Sequence, residues 1–291
     1  MLYLLFVSLL WAFSPGLIKH FLGDLPSPAI ATVRLGLTAL VFLPFIRLRL
    51  MPWRTAGWFA GIGAIQFGVM YLLYLQAFKH LQGHEVYLFT IFTPLYIVLL
   101  DGALTNKLAL RHAAAALLSV AGAALIIQRR AGTPDIMIGF LLVQGSNLCF
   151  AAGQIAYKRT RPALTQLTDV RLFPWLALGG FTATAFVAGL STDWGHFAPT
   201  TTQWLVLAFL GLIASGAGFF LWNLGLGRVN AGTLAVFNNV KIPLGVACSL
   251  LFFGEQADLS RLLLSGLLLL AAIAFAEGWF LPRSTARAPK T

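Results

Sequence analysis

The chain has 291 residues, of which 59% are hydrophobic and only 10% are charged. Soluble globular domains carry about 25% charged residues, so this composition and a mean hydropathy of +0.84 exclude an ordinary soluble protein and indicate a membrane protein. The formal net charge of +11 would also suit a nucleic-acid partner. We expect no nucleic acid, because the basic residues lie mainly in the connections between apolar segments, as they do in membrane proteins.

Apolar segments follow one another along the whole chain, each long enough to cross a hydrocarbon layer of about 30 Å. The pattern predicts ten transmembrane helices, spans 1 to 10, near Leu2–Phe21, Pro28–Ile46, Ala56–Phe78, His84–Leu100, His112–Gln128, Asp135–Tyr157, Val170–Leu190, Thr202–Gly227, Gly232–Phe253 and Arg261–Leu281. The first segment lacks a preceding basic region and a following small-residue cleavage site. We therefore expect it to remain as a helix rather than to be removed as a signal peptide.

The basic residues predict the orientation of the protein in a bacterial inner (plasma) membrane. If the N-terminus is cytoplasmic, thirteen of the twenty Lys and Arg residues lie inside, five lie outside, and two, Arg34 and Lys241, fall within spans. Cytoplasmic loops of membrane proteins carry such an excess of positive charge. We therefore expect a multi-pass protein with both termini in the cytoplasm.

The two halves of the sequence are similar to each other. An aromatic–alanine pair begins eight residues before a lysine in span 1, from Trp11 to Lys19, and in span 6, from Phe150 to Lys158. Five spans per half is an odd number, so the second half must cross the membrane in the opposite direction. This predicts an inverted repeat with a substrate site near the midplane. The expected units are a first repeat at 1–131, a second repeat at 132–282 and a basic cytoplasmic tail at 283–291.

Three prolines, Pro15, Pro94 and Pro243, lie inside apolar spans. Each removes a helix hydrogen bond and favours a kink. Pro94 and Pro243 also match each other, because each lies eleven residues after a glycine in its own half. The three prolines are candidate hinges for gating, and a static bend is the alternative.

These features resemble the drug/metabolite transporter superfamily, in particular its ten-helix EamA-type members. The resemblance is carried by the Trp-Ala-Phe-Ser-Pro opening before Lys19, by Pro94 and Pro243, by Gly-Glu255 after span 9, and by a glycine-rich last span in each half. Within the superfamily the sequence is similar to the YddG-type aromatic amino-acid exporters. The resemblance implies an all-α integral membrane protein, with ten helices in two inverted repeats around a central cavity. It also implies export of aromatic amino acids by alternating access.

Two charged side chains within predicted spans need an explanation, because a charge at the bilayer centre costs at least ~2.5–3.5 kcal/mol. Lys241 lies midway along span 9, with Asn238 one turn earlier on the same helix face. Our hypothesis is that Lys241 and Asn238 hold a substrate carboxylate. The alternative is a lysine that snorkels or pairs with a backbone carbonyl. For Arg34, only about two turns into span 2, outward snorkelling is the favoured interpretation.

Polar residues at helical spacing concentrate in spans 1, 3, 4, 6, 8 and 9, as in the stripe Ser215, Phe219 and Asn223 of span 8. This concentration predicts a shared aqueous cavity, although hydrogen bonding between helices is the alternative for each residue alone. Aromatic residues among them could stack on a substrate ring or serve only for packing. Besides Lys241 and Asn238, the candidate pathway residues are Ser8, Trp11, Gln66, Tyr74, Tyr87, Asn147, Gln154 and Asn223.

Several classes of function are disfavoured by what the sequence lacks. No span carries Asp or Glu near its middle, which argues against a cation or multidrug exporter. The nucleophile-elbow, zinc-protease and Walker motifs are absent, so we expect no enzyme, no cofactor and no metal. The expected partners are the lipid bilayer and a small-molecule substrate, an amino acid or related carboxylate, with the protein a monomer or homodimer. Export of other drugs or metabolites, and a non-transport membrane subunit, are the alternatives.

Overall fold

The structure is a computed structural model, and it describes residues 1–47, 51–81, 86, 89–107, 109–124, 134–252 and 259–279. Every regular element in these residues is a helix, which confirms the all-α prediction for the described part of the chain.

The helices are numbered here in chain order. They are α1 (Leu2–Ala12), α2 (Ser14–Phe21), α3 (Ser27–Phe42), α4 (Trp53–Gly63), α5 (Met70–Ala77), α6 (Thr93–Thr105), α7 (Leu110–Ala124), α8 (Pro134–Thr160), α9 (Asp169–Ser191), α10 (Thr201–Ala208), α11 (Gly218–Leu226), α12 (Ala231–Phe252) and α13 (Leu259–Glu277). Two π-helical segments, π1 (Ala64–Val69) and π2 (Phe209–Ala217), join α4 to α5 and α10 to α11. Short 3-10 turns at Leu43–Phe45 and Arg161–Ala163 follow α3 and α8.

Among the described residues, six continuous helical stretches are long and apolar enough to cross a membrane, as predicted for spans 1, 2, 3, 6, 7 and 8. They are Leu2–Phe21, Ser27–Phe45, Trp53–Ala77, Ile136–Ala163, Asp169–Ser191 and Thr201–Leu226. Shorter apolar helices at Thr93–Thr105, Leu110–Gly122 and Leu263–Glu277 overlap predicted spans 4, 5 and 10. Helix α12 overlaps predicted span 9. The chain is therefore a multi-pass helical membrane protein.

Two of the predicted hinge prolines lie at breaks between helices. Span 1 is interrupted after Ala12, and Pro15 lies in the first turn of α2. Pro94 likewise lies in the first turn of α6, where proline is well tolerated because the first helical N–H groups have no intrahelical partner. Pro243, in contrast, lies inside the continuous helix α12.

Glycines allow α4 and α9 to pack backbone against backbone. A Cβ atom on Gly179 would overlap the backbone of Ala60, and one on Gly63 would overlap the backbone of Leu176. Small residues at helix interfaces permit such close approach in membranes, where van der Waals contact drives helix association. Helix α9 also packs along α3, so it holds spans 2 and 3 together beside the centre of the protein.

We predict that Gly179→Ala destabilises the protein while Gly189→Ala, in the same helix, does not. Both substitutions gain up to about 1 kcal/mol of helix propensity. Only the methyl group at position 179 meets backbone atoms, since nothing lies within 4 Å of a Cβ at Gly189. Overpacking costs about 1–3 kcal/mol, so thermal unfolding in detergent should occur at a lower temperature for Gly179→Ala alone. Equal unfolding temperatures for the two variants would contradict the close packing of α4 and α9.

Candidate functional site

A cavity lies at the centre of the helices and is lined by both halves of the chain. Its lining residues come from predicted spans 1 to 4, 6, 8 and 9, and they are Trp11, Ser14, Pro15, Ile18, Arg34, Met70, Tyr71, Tyr74, Thr90, Thr93, Ser146, Asn147, Phe150, Phe219 and Lys241. Two of these side chains, Arg34 and Lys241, are cationic. None of the lining residues in the described part of the chain is acidic, so the cavity is positively charged.

The segment π2 is held by hydrogen bonds from two neighbouring helices. Trp11 Nε1 in α1 donates to the carbonyl of Ala214 at 2.8 Å, and Thr38 Oγ1 in α3 donates to the carbonyl of Gly211, also at 2.8 Å. π-Helical turns are rare and occur frequently at functional sites. Ser215 lies within this segment and bonds to the cavity-lining Arg34.

Arg34 is almost completely buried, with 1% of its surface exposed. Its Nη2 donates to Tyr71 Oη at 2.6 Å and to Ser215 Oγ at 3.1 Å, and these two hydroxyl groups are hydrogen-bonded to each other at 3.2 Å. The guanidinium carbon lies 4.3 Å from the centre of the Tyr71 ring. The interpretation that Arg34 snorkels outward is therefore wrong, because spans 3 and 8 hold its side chain inside the protein.

Lys241 is only partly buried and also lines the cavity. Its Nζ lies 6.0 Å from the centre of the Trp11 ring, within reach of a cation–π interaction. Asn238, which we expected to assist Lys241, does not line the cavity. Its amide donates to the carbonyl of Leu234 at 2.9 Å and to Gln154 Oε1 at 3.3 Å.

A row of aromatic rings connects the two cations. The Tyr71 ring beneath Arg34 lies 5.6 Å from the Phe219 ring, and the Phe219 ring lies 5.3 Å from the Trp11 ring beside Lys241. Phe150 extends this surface, with its ring 5.9 Å from that of Trp11. The cavity therefore offers an apolar aromatic wall between two positive charges.

Several predicted pathway residues lie outside the cavity lining and bond to each other or to backbone. Gln66 donates to Asn223 at 3.1 Å, while Gln154 accepts from Trp222 Nε1 at 2.9 Å. Ser8 donates to the carbonyl of Leu4 in its own helix at 2.8 Å and to that of Phe237 in α12 at 3.4 Å. The contacts between helices correspond to the inter-helix hydrogen bonding that was the alternative for each residue.

The structure brings other predicted residues together at the cavity, namely Trp11, Pro15, Tyr74, Asn147 and Lys241. Asn147 is also bonded, because its amide donates to the carbonyl of Phe89 at 2.9 Å. Tyr87 and Glu255 lie outside the described residues. The sequence analysis did not select Tyr71, Ser215, Phe150 or Phe219 as site residues. Ser215 and Phe219 were noted in the stripe of span 8 and Phe150 in the repeat motif of span 6, whereas Tyr71 gave no signal.

We predict that Trp11→Phe lowers the thermal stability of the protein more than Trp58→Phe does. Trp11→Phe keeps an aromatic ring, smaller than the indole, but leaves the part-buried carbonyl of Ala214 without its donor, and such a loss costs about 1–3 kcal/mol. Trp58 also donates through Nε1, to Thr160 Oγ1 at 3.1 Å, but its side chain is 56% exposed. Equal unfolding temperatures for the two variants would show that the Trp11 bond does not stabilise π2.

Comparison with known proteins gives the family. The chain matches the model of the EamA-like transporter family twice, over residues 1–128 and 137–276. A solved crystal structure with 20% sequence identity superposes with a TM-score of 0.75, covering 96% of this chain and 97% of that chain. Since that identity is low, the superposition supports the fold alone.

Three relatives extend the comparison. The biotin transporter of Salmonella typhimurium is 38% identical over 286 residues, which cover 97% of this chain and 94% of the relative. The biotin transporter of Escherichia coli K12 is 39% identical with the same coverage. The aromatic amino acid exporter YddG of Ancylobacter novellus is 27% identical over 192 residues, covering 64% and 63%.

These relatives are transporters and not enzymes, in agreement with the expectation from the sequence. The two family matches lie one in each half of the chain. The chain belongs to the EamA-like transporter family of the drug/metabolite transporter superfamily and is a multi-pass membrane transporter.

Proposed function

We propose that this protein is a secondary transporter for a small carboxylate, with biotin as its first candidate substrate, across the bacterial inner membrane. The observation that carries the proposal is the charge of the cavity, which contains Arg34 and Lys241 but no acidic side chain among its described lining residues. A buried charge is costly unless it is paired. A substrate carboxylate would supply the missing negative charge.

Biotin suits this cavity chemically. It carries one carboxylate on an aliphatic chain, which a cation of the cavity can bind. Its compact bicyclic head group can pack against the aromatic wall formed by Tyr71, Phe219 and Trp11. The relatives described as biotin transporters are more similar to this chain and are matched over more of their length than the YddG relative. These comparisons favour biotin over the aromatic amino acids expected from the sequence.

Export of aromatic amino acids is the second candidate. The rings of Trp11, Phe150 and Phe219 could stack on an aromatic side chain, since ring pairs add about 0.5–1.5 kcal/mol beyond burial. However, the ammonium group of a free amino acid would enter a cavity that already holds two cations and no described carboxylate. This electrostatic cost favours a substrate that is a plain anion.

We also propose ten spans in two inverted repeats, 1–131 and 132–282, and similar features in both halves support this. π1 lies in the third span and π2 in the eighth. Lys19 Nζ lies 3.5 Å from the carbonyl of Phe78 near the end of the third span, and Lys158 Nζ lies 3.0 Å from that of Leu226 at the end of the eighth. These equivalent contacts suit a two-fold axis in the membrane plane.

Packing between equivalent helices points to the same symmetry. Helix α3 packs on α9, α6 on α12, and α7 on α13, which pairs spans 2 with 7, 4 with 9 and 5 with 10. A two-fold axis brings each element next to its own equivalent when both lie near the axis. The cavity between the halves then lies where inverted-repeat transporters bind substrate.

Alternating access would use the helix breaks beside the cavity. Span 1 breaks at Phe13, between the lining residues Trp11 and Ser14, and α6 begins at Thr93, another lining residue. Discontinuous helices at the binding site are typical of secondary transporters. We therefore propose Pro15 and Pro94 as hinges, with Pro243 as a bend within α12.

Transport of biotin tests the proposal directly. Purified protein in liposomes should move labelled biotin with saturable kinetics, and unlabelled biotin should compete while phenylalanine and a quaternary ammonium drug should not. Liposomes without protein serve as the control. Competition by phenylalanine but not biotin would favour the second candidate, and no saturable transport of either compound would refute both.

The proposed topology predicts the location of the C-terminus. A fluorescent protein fused after Thr291 should be fluorescent, and alkaline phosphatase fused at the same position should be inactive, because the phosphatase matures only in the periplasm. A phosphatase fusion after Asp24, in the first outer loop, should be active as the matched control. The reverse activities at the two positions would contradict cytoplasmic termini.

A further inference from the structure

Arg34 carries hydrogen-bonding groups that no described residue uses. Its Nη2 is bonded to Tyr71 and Ser215, but Nε and Nη1 are buried and have no hydrogen-bond partner in the described structure. Buried N–H groups are nearly always paired, and those of a charged group cost most when they are not. Arg34 also lines the cavity, so Nε and Nη1 are the nitrogens that are left to pair with a ligand there.

The guanidinium is oriented from both halves of the protein. Tyr71 follows π1 closely, Ser215 lies within π2, and their hydroxyl groups contact each other as well as Nη2. The Tyr71 ring also lies against the guanidinium, with its centre 4.3 Å from Cζ. Tyr71 in α5 and Ser215 in π2 thus set the position of one cation before any substrate arrives, which lowers the cost of ordering it on binding.

Lys241 is organised differently. Its ammonium group makes no hydrogen bond among the described residues, and its one interaction there is with the Trp11 ring at 6.0 Å. An ammonium is a compact point charge, whereas a guanidinium presents N–H groups in a planar array that suits a carboxylate. The two cations are therefore suited to different parts of a substrate that lies along the rings of Tyr71, Phe219 and Trp11.

We infer that Arg34, and not Lys241, makes the direct hydrogen bonds to the substrate carboxylate, and that Tyr71 and Ser215 are the residues that position it. The inference rests on the proposed function of this cavity as a carboxylate site. Lys241 contributes positive charge and contacts the remainder of the substrate beside Trp11.

Acid and amide pairs test this inference. The affinity of the purified protein is measured for biotin and for its neutral primary amide. The acid preference is the affinity for biotin divided by the affinity for the amide. We expect the wild type to prefer the acid by about tenfold or more, as for a charge-assisted hydrogen bond. Arg34→Gln should reduce the ratio to within about twofold, and Lys241→Gln should retain most of it. Arg54→Gln, at an exposed arginine beside Trp53, is the matched control and should retain all of it.

Two further variants keep the test informative if Arg34→Gln does not fold. Tyr71→Phe and Ser215→Ala each remove one acceptor of Nη2 while the positive charge stays. Each should lower the acid preference by about threefold or more, since each variant loses a hydrogen bond from a charged donor that holds the guanidinium in place. A general loss of stability would lower both affinities without changing their ratio. An unchanged ratio in both variants would overturn the positioning role.

The outcomes separate this inference from the proposed function when phenylalanine and its amide are measured in parallel. A wild type that binds phenylalanine instead of biotin, with an acid preference lost in Arg34→Gln, would remove biotin as the substrate and support the role of Arg34. Biotin binding with an acid preference that survives Arg34→Gln, or that is lost only in Lys241→Gln, would overturn the role of Arg34 alone. A wild type that binds biotin without any acid preference would contradict both the role of Arg34 and the carboxylate site of the proposed function.

Discussion

The hydrogen bonds into π2 are the interaction on which the central site depends. Trp11 from α1 and Thr38 from α3 both donate to carbonyls of this segment. Glycines allow these helices to come close, since a Cβ on Gly218 would lie 2.9 Å from Trp11 Nε1 and one on Gly211 would lie 2.9 Å from Leu37 Cβ. Spans 1, 2 and 8 are therefore joined at one level, the level of the cavity. Any movement of span 8 during transport must break or carry along these bonds.

This arrangement has an electrostatic consequence. By fixing Ser215 opposite Tyr71, π2 keeps the Arg34 guanidinium inside the protein, although an arginine at this depth could otherwise extend towards water. The acidic side chains of the described residues are used elsewhere. Asp101 pairs with Arg159 at 3.1 Å and Asp169 with Arg161 at 2.8 Å, both outside the cavity lining. The cavity keeps a positive charge that selects for anions, and its aromatic wall provides apolar contact for the rest of a substrate.

Hydropathy was sufficient to predict a helical membrane protein and the six spans that the structure describes. The reason is that a segment in lipid must be a long apolar helix, whatever its tertiary contacts. The site was predicted less well. The depth of Arg34 was judged from its distance to the end of span 2, but its side chain is held by Tyr71 of span 3 and Ser215 of span 8, and such contacts between spans leave no hydropathy signal. Gln66 and Asn223 were selected for their polarity, yet they bond to each other across helices. Polarity in a span identifies residues that need partners, and only the fold decides whether the partner is protein or substrate.

The most direct measurement is an experimental structure of the full-length protein with biotin bound. The account predicts the carboxylate within hydrogen-bond distance of Arg34 Nε or Nη1, with the apolar part of biotin against Phe219 and Trp11 and the Tyr71 and Ser215 contacts to Nη2 retained. A carboxylate bonded to Lys241 without Arg34, or biotin bound outside this cavity, would contradict it.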